Sequence, residues 1–220
     1  MNETPILAIE SSASSCGVAV WFSADRNSQV MHKESRQHAS KIILLTDSVL
    51  QNFKLKLEQI EAIAVSTGPG SFTGLRIGLS AAKGMCMGAQ KPLIKVPTFD
   101  ASAFQLRTVL NEGDEVWVTS KVNTTEFFIA KYIITGDAYE VLENVKALTH
   151  GDILAMMSGR EFIAGESNWF NSQKYLNLEC PSPLFVAKWA YEFGTKIEPD
   201  DIDFVEPDYY KDFIIKRKSV

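Results

Sequence analysis

A chain of 220 residues with 45% hydrophobic and 22% charged side chains can bury one large core or two small ones, and a net charge of −5 excludes a broad basic surface for nucleic acid backbone. Three cysteines, Cys16, Cys86 and Cys180, form an odd set with no CxxC pair; this argues against a disulfide framework or zinc site and for free thiols in a reducing cytoplasm. No run approaches the ~18 apolar residues of a membrane span, and MNETPILAIESS lacks the basic region of an export signal, so a cytoplasmic chain with no membrane partner is expected.

Residues 5–10 read as a short apolar strand ending at Glu10, and the small polar turn 11–15 leads to a second strand over 16–22, a hairpin with a serine-rich tip. After the polar turn Asp25, Arg26, Asn27 come a third strand over 29–34 and a helix over 38–53. A buried strand at 60–65 then runs into STGPGSFTGLRIGLSAAKGMCMG, residues 66–88, where the hydrophobic period changes from strand to helix across glycine, proline, serine and threonine. A fifth strand over 93–96 ends at Pro97, and a helix follows over 100–110. Three strands followed by alternating helices and strands define an α/β layer with a mixed sheet.

Polarity rises at NEGD, residues 111–114, which marks a boundary between a first lobe, 1–111, and a second, 112–220. Strands are expected over 116–119, 126–134 and 139–145, a helix over 149–157, a strand over 161–165 and a helix over 183–194. Three strands and then a helix repeat the opening order, a weak duplication visible in element order alone.

The glycines of 66–88 invite a phosphate reading, because Gly68, Gly70 and Gly74 let backbone amides converge before a helix. A P-loop would place lysine and then Ser or Thr after the last glycine, but Leu75 and Arg76 stand there; Thr73 occupies the third glycine position of a dinucleotide fingerprint. Gly68, Gly70, Gly74 and Gly78 are therefore read as structural. At 100° per residue Gly74, Gly78, Ala81, Met85 and Gly88 share one narrow face that presses on the sheet, Leu75, Leu79 and Cys86 run beside it, and Arg76, Ser80 and Lys83 take the far side. In the helix over 38–53, Ala39, Ile43, Thr46, Leu50 and Phe53 form one face, Ile42, Leu45 and Val49 extend it, and Leu44 lies outside. That arc exceeds one buried stripe and suits either a neighbouring helix or a partner. His32, His38 and His150 are scattered, and neither HExxH nor GxSxG occurs. The four tryptophans, Trp21, Trp117, Trp169 and Trp189, read as core or rim.

ILAIESSASSCGVAVW (6–21), RQHASKII (36–43), STGPGSFTGLRIGLSAAKG (66–84) and EPDYY (206–210) together resemble the TsaB (YeaZ) family, relatives of TsaD within the actin, Hsp70 and sugar-kinase superfamily. The resemblance implies an actin-like (ribonuclease H-like) two-lobed α/β fold, with a mixed five-stranded sheet and helices in the first lobe and a reduced similar second lobe. It also implies a non-catalytic scaffold or activator that pairs, through first-lobe helices, with a TsaD-type subunit making threonylcarbamoyladenosine beside the tRNA anticodon. A TsaE-type ATPase would bind the pair, homodimers would use the same surface when the chain is alone, and tRNA would be met only indirectly. Arg36, Ile42, Leu45, Val49, Arg76, Leu79 and Lys83 are the expected partner contacts.

Departures from the catalytic relative follow the same resemblance. Its metal-holding His-x-x-x-His pair is matched by Thr98 and Ser102, whose hydroxyls are poor substitutes for imidazole. The Asp-Ala-Arg that the family usually shows in the second-lobe hairpin is matched by Lys121, Val122 and Asn123, and the paired glycines of catalytic relatives by Gly165 followed by Glu166 and Ser167. Glu10, Ser11 and Ser12 are a candidate vestigial phosphate loop. No cofactor or metal is expected in the isolated chain, ATP and metal belonging to partner subunits. The rival reading is a self-sufficient kinase or ATPase of this fold, and a glycoprotease-like peptidase is a weaker one. Lys211, Lys216, Arg217 and Lys218 read as a small solvated basic patch, with a minor role in touching tRNA left open.

Overall fold

Both faces of the opening strand, β1 (Ile6–Glu10), are covered, which is why its sequence shows no alternation. The computed structural model describes residues 4–33, 38–194 and 201–210, without the side chains of 38–40. β1 pairs antiparallel with β2 (Cys16–Ser23), and β2 with β3 (Arg26–His32). β3 starts three residues before the expected strand, because its polar first residues, Arg26 and Asn27, already pair with β2 directly after a tight turn. The helix α1 (His38–Asn52) leads to β4 (Ala62–Gly68), parallel to β1, and α2 (Phe72–Ala89) leads to β5 (Leu93–Pro97), parallel to β4. The order is β3-β2-β1-β4-β5, with the two helices as the crossovers that parallel pairs require. α3 (Thr98–Leu106) begins directly at the end of β5 and is shorter than the sequence suggests.

The second half builds the same sheet again. β6 (Glu115–Lys121), β7 (Glu126–Thr135) and β8 (Ala138–Thr149) form an antiparallel meander. After α4 (His150–Met156), β9 (Phe162–Gly165) runs parallel beside β6, and β10 (Tyr175–Asn177) parallel beside β9. Read from its far edge, the order β8-β7-β6-β9-β10 repeats that of the first sheet. β10 is absent from the sequence reading because three residues are too few to display a period. No helix joins β9 to β10 where α2 joins β4 to β5, and the second lobe is reduced by that helix.

Alternation resumes once both layers are considered. Leu7, Ile9, Val18, Val20, Ile63 and Val65 point towards α1 and α2 and meet Ile42, Val49, Leu79 and Met85. Ile6, Ala8, Trp21, Ala62, Ala64 and Val96 point the other way, towards Phe104 of α3 and Val186 and Trp189 of α5 (Pro183–Glu192). α3 also reaches the second sheet, where Phe99, Ala103 and Leu106 join Val116, Val118 and Tyr132, and Tyr132 Oη donates to Asp100 Oδ1 (2.8 Å). With α3 only nine residues long, the rest of that face is left to α5, so the end of the chain folds back on the first sheet. Val205 follows it into the core beneath α1 and α2. Among the described residues no helix is long and apolar enough to cross a membrane.

Candidate docking site

The glycine loop is built to receive the tip of the β1–β2 hairpin. Gly68 has φ of 130°, a conformation that suits glycine, and its amide donates to Thr98 Oγ1 (3.1 Å); the Gly68–Pro69 bond is cis. Ser71 caps α2 by accepting from Gly74 N (3.2 Å), and its own amide donates to Ser12 O (2.6 Å). A Cβ on Gly74 would collide with Ser11 O, and one on Gly78 with Ser11 Oγ. Ser11 Oγ in turn donates to Gly74 O (2.9 Å). These amides and small surfaces hold protein.

The candidate phosphate loop faces the same way. Glu10, Ser11 and Ser12 are buried; Glu10 accepts from Ser12 N (2.6 Å) and from Ser66 Oγ. Ser14 N, further along the tip, donates to Glu179 Oε1 (2.8 Å), so a carboxylate of the chain itself occupies an amide that an anion would seek. Burial pushes the Glu10 carboxyl above its ordinary value, and the hydrogen bonds from Ser12 and Ser66 only partly offset this. The folded state therefore holds this proton more tightly than the unfolded chain, and stability falls as pH rises from the ordinary carboxylate range through the raised folded value. Glu10→Gln keeps the shape and removes the titration. Its melting temperature is expected to gain on the wild type as pH rises above the ordinary carboxylate range; a difference that stays constant with pH would show that burial does not govern this group.

The positions matched to catalytic ligands are already engaged. Thr98 Oγ1 accepts from Gly68 N, and Ser102 Oγ donates to Thr98 O (2.9 Å), both groups buried at the start of α3. Neutral hydroxyls bonded in this way do not fit a metal ion, and among the described residues no three His, Cys, Asp or Glu side chains are placed to share one. Asn123 Oδ1 accepts from Thr125 N (2.9 Å) and Glu126 N (3.1 Å) and so shapes the β6–β7 turn. Lys121 lies over the Trp169 ring at 4.3 Å. Gly165 O accepts from Tyr175 Oη (3.0 Å), and Glu166 beside it is pushed up by burial and by Glu179, a pairing of acids that opposes a phosphate. All three cysteines are free thiols, and burial pushes Cys86 up to about 12 and raises Cys16 and Cys180 as well, leaving no nucleophilic thiolate at neutral pH.

What the first lobe leaves open is one side of the α1–α2 pair. Ile43 and Leu44 are 49% and 60% exposed, and a groove beside them is lined by Ile43, Phe72, Thr73, Arg76, Ile77 and Ala81. Three of the expected contacts need correction: Ile42, Val49 and Leu79 point into the core against the first sheet and offer nothing to a partner. The buried arc of α1 is centred on Ile42 and Val49, which pack on the first sheet, and not on Ile43; Thr46, common to both arcs, is buried with its hydroxyl donating to Ile42 O (2.9 Å). Leu45 is half-buried against the same core. Arg76 is exposed, and Lys83 donates to Asp203 O (3.2 Å). Arg36 and the basic residues 211–218 lie outside the described residues. On α2, Gly74 and Gly78 are buried, but Ala81 is half-buried and Gly88 is open, so the buried row is Gly74, Leu75, Gly78, Leu79, Ala82, Met85, Cys86 and Ala89.

The closing motif completes this corner and had no role in the sequence reading beyond family likeness. Asp208 N donates to Thr67 O (2.8 Å), its carboxylate accepts from Thr67 Oγ1 (2.5 Å) and meets Lys95 Nζ at 3.3 Å, and its carbonyl sits against Gly68. Tyr209 packs on Phe72 at 5.6 Å, and its Oη accepts from Arg76 Nε (2.9 Å). More than 110 residues separate the members of each pair in sequence, and no local signal announces the pairing.

Two sheets of matching order, each a hairpin-led meander extended by parallel strands, define a two-lobed actin-like (ribonuclease H-like) protein. The family described as "TsaD: tRNA N6-adenosine threonylcarbamoyltransferase" matches residues 28–157, more than half of the chain. The chain belongs to this family and, within it, to the TsaB (YeaZ) group. It is 29% identical over 133 residues to the "tRNA threonylcarbamoyladenosine biosynthesis protein TsaB" of Haemophilus influenzae, covering 60% of this chain and 56% of that one. The protein of the same description in Escherichia coli is 39% identical over 95 residues, 42% of this chain and 40% of that one. The chain thus matches about half the length of these curated relatives. A solved structure from Pseudomonas aeruginosa, described as an uncharacterized protein with similarity to peptidase YeaZ, superposes with a TM-score of 0.82 over 94% of this chain and all of its own, at 19% identity. At that identity the likeness is one of fold.

Proposed function

We propose that this chain takes part in threonylcarbamoyladenosine biosynthesis on tRNA as a non-catalytic subunit, docking through α1 and α2 on a TsaD-type threonylcarbamoyltransferase. The observation that carries this reading is the α1–α2 face: Ile43 and Leu44 stand in solvent on a helix pair whose other side already fills the core. Apolar side chains clustered beside a groove lose free energy in water that a partner would restore. The engaged hydroxyls of Thr98 and Ser102 and the buried tip at Glu10 support placing metal and ATP on partner subunits, with tRNA met indirectly. In this reading the lobes divide at residues 111 and 112, α5 and 201–210 brace the lobe that docks, and a TsaE-type ATPase joins the assembled pair.

Co-expression with the TsaD-type protein of the same organism tests the reading. A 1:1 complex on size exclusion, with modification of tRNA lost when this chain is withheld, is expected. A chain that elutes alone beside its co-expressed partner, or a purified chain that binds ATP tightly by calorimetry and hydrolyses it unaided, would favour the self-sufficient ATPase instead.

A further inference from the structure

The closing segment meets the docking groove at Phe72 and Arg76, and Arg76 is a cation. Arg76 lies 3.8 Å above the Phe72 ring, and its Nε donates to Tyr209 Oη (2.9 Å), so one edge of the guanidinium is held and its plane is fixed. Its two terminal nitrogens have no partner among the described residues, although Arg76 lines the groove beside Ile43 and Ile77. Tyr209 is itself secured, because its neighbour Asp208 is tied to Thr67 and Lys95. An arginine whose long side chain is already ordered loses less freedom on binding and presents a planar fork matched to a carboxylate.

We propose that Tyr209 is a positioning residue for the docking face: it holds Arg76 across Phe72 so that the free edge of the guanidinium pairs with a carboxylate on the partner's apolar surface. This rests on the docking reading above and adds the partner's chemistry, an apolar ridge carrying an Asp or Glu beside it. The segment 201–210 thereby belongs to the interface without covering it. The hydroxyl of Tyr209 acts through Arg76, and the carboxylate is reached by Arg76 alone.

The test measures dissociation constants between the full chain and the TsaD-type subunit for the wild type, Tyr209→Phe, Arg76→Gln and the double variant, at two salt concentrations. Tyr209→Phe is expected to weaken binding about tenfold, and Arg76→Gln at least as much. The double variant should be no weaker than Arg76→Gln, since the tyrosine works through the arginine. Salt should weaken the wild type more steeply than either Arg76→Gln or Tyr209→Phe, whereas a purely structural role of Tyr209 would leave Tyr209→Phe with the salt dependence of the wild type. Melting temperatures of the free variants report the fold separately. Wild-type affinity in Tyr209→Phe, a further loss in the double variant, or equal salt dependence overturns the proposal and leaves docking itself standing. A wild-type chain that binds no TsaD-type subunit overturns docking and this inference together.

Discussion

Gly74→Ala will lower the melting temperature, whereas the same change at Gly84, under three turns further along α2, will raise it. The added methyl at Gly74 meets the carbonyl of Ser11, a backbone atom that cannot rotate away, and parting the helix from the hairpin tip would also break the bond from Ser11 Oγ to Gly74 O. Overpacking of this kind costs roughly 3 kcal/mol, against about 1 kcal/mol gained in helix propensity. The net loss of about 2 kcal/mol corresponds to roughly 4–8 °C for a chain of this size. At Gly84 nothing lies within 4 Å, so only the propensity gain of about 1 kcal/mol operates. Scanning calorimetry of the two variants decides the matter. Shifts of the same sign would mean that contact with Ser11 is not why Gly74 is glycine.

The paired change Ile43→Asp and Leu44→Asp should abolish the complex with the TsaD-type subunit and leave the free chain folded. Both side chains are about half exposed or more, so the isolated protein loses little buried area. In a docked state each would forfeit about 2 kcal/mol of burial and force a carboxylate into an apolar contact, weakening binding at least about a hundredfold. Val109→Asp is the matching control, since Val109 is 67% exposed on the opposite side of the first sheet, just beyond α3. If the double variant pairs as well as the wild type, the docking face is elsewhere. If Val109→Asp is equally damaging, the loss reflects surface charge and not a site.

Much of the architecture was legible because strands and crossovers carry local signals. The hairpin at 11–15, the glycine-led helix and the repeated order of three strands and a helix all follow from period, turn residues and spacing. α1 shows where that reasoning stops. Periodicity fixed which residues share a row, but apolar residues cover so wide an arc that either Ile43 or Ile42 could have faced the sheet. The decision fell to the sheet beneath, which receives Ile42 and Val49 and leaves Ile43 in solvent.

Glu10 gives a similar lesson. A carboxylate ending a strand reads locally as solvated or turn-bonded, and the turn bond to Ser12 is there, yet the group is fully buried because the segment from Ser66 closes over it from 56 residues away. The sequence by itself determined the family and the element order apart from β10. Only the tertiary structure decided which helix row meets solvent, that the hairpin tip is filled by protein groups, and that Tyr209 holds Arg76. The last two outcomes depend on contacts between segments 56 to 165 residues apart, where burial and hydrogen bonding are set by what arrives from elsewhere in the chain.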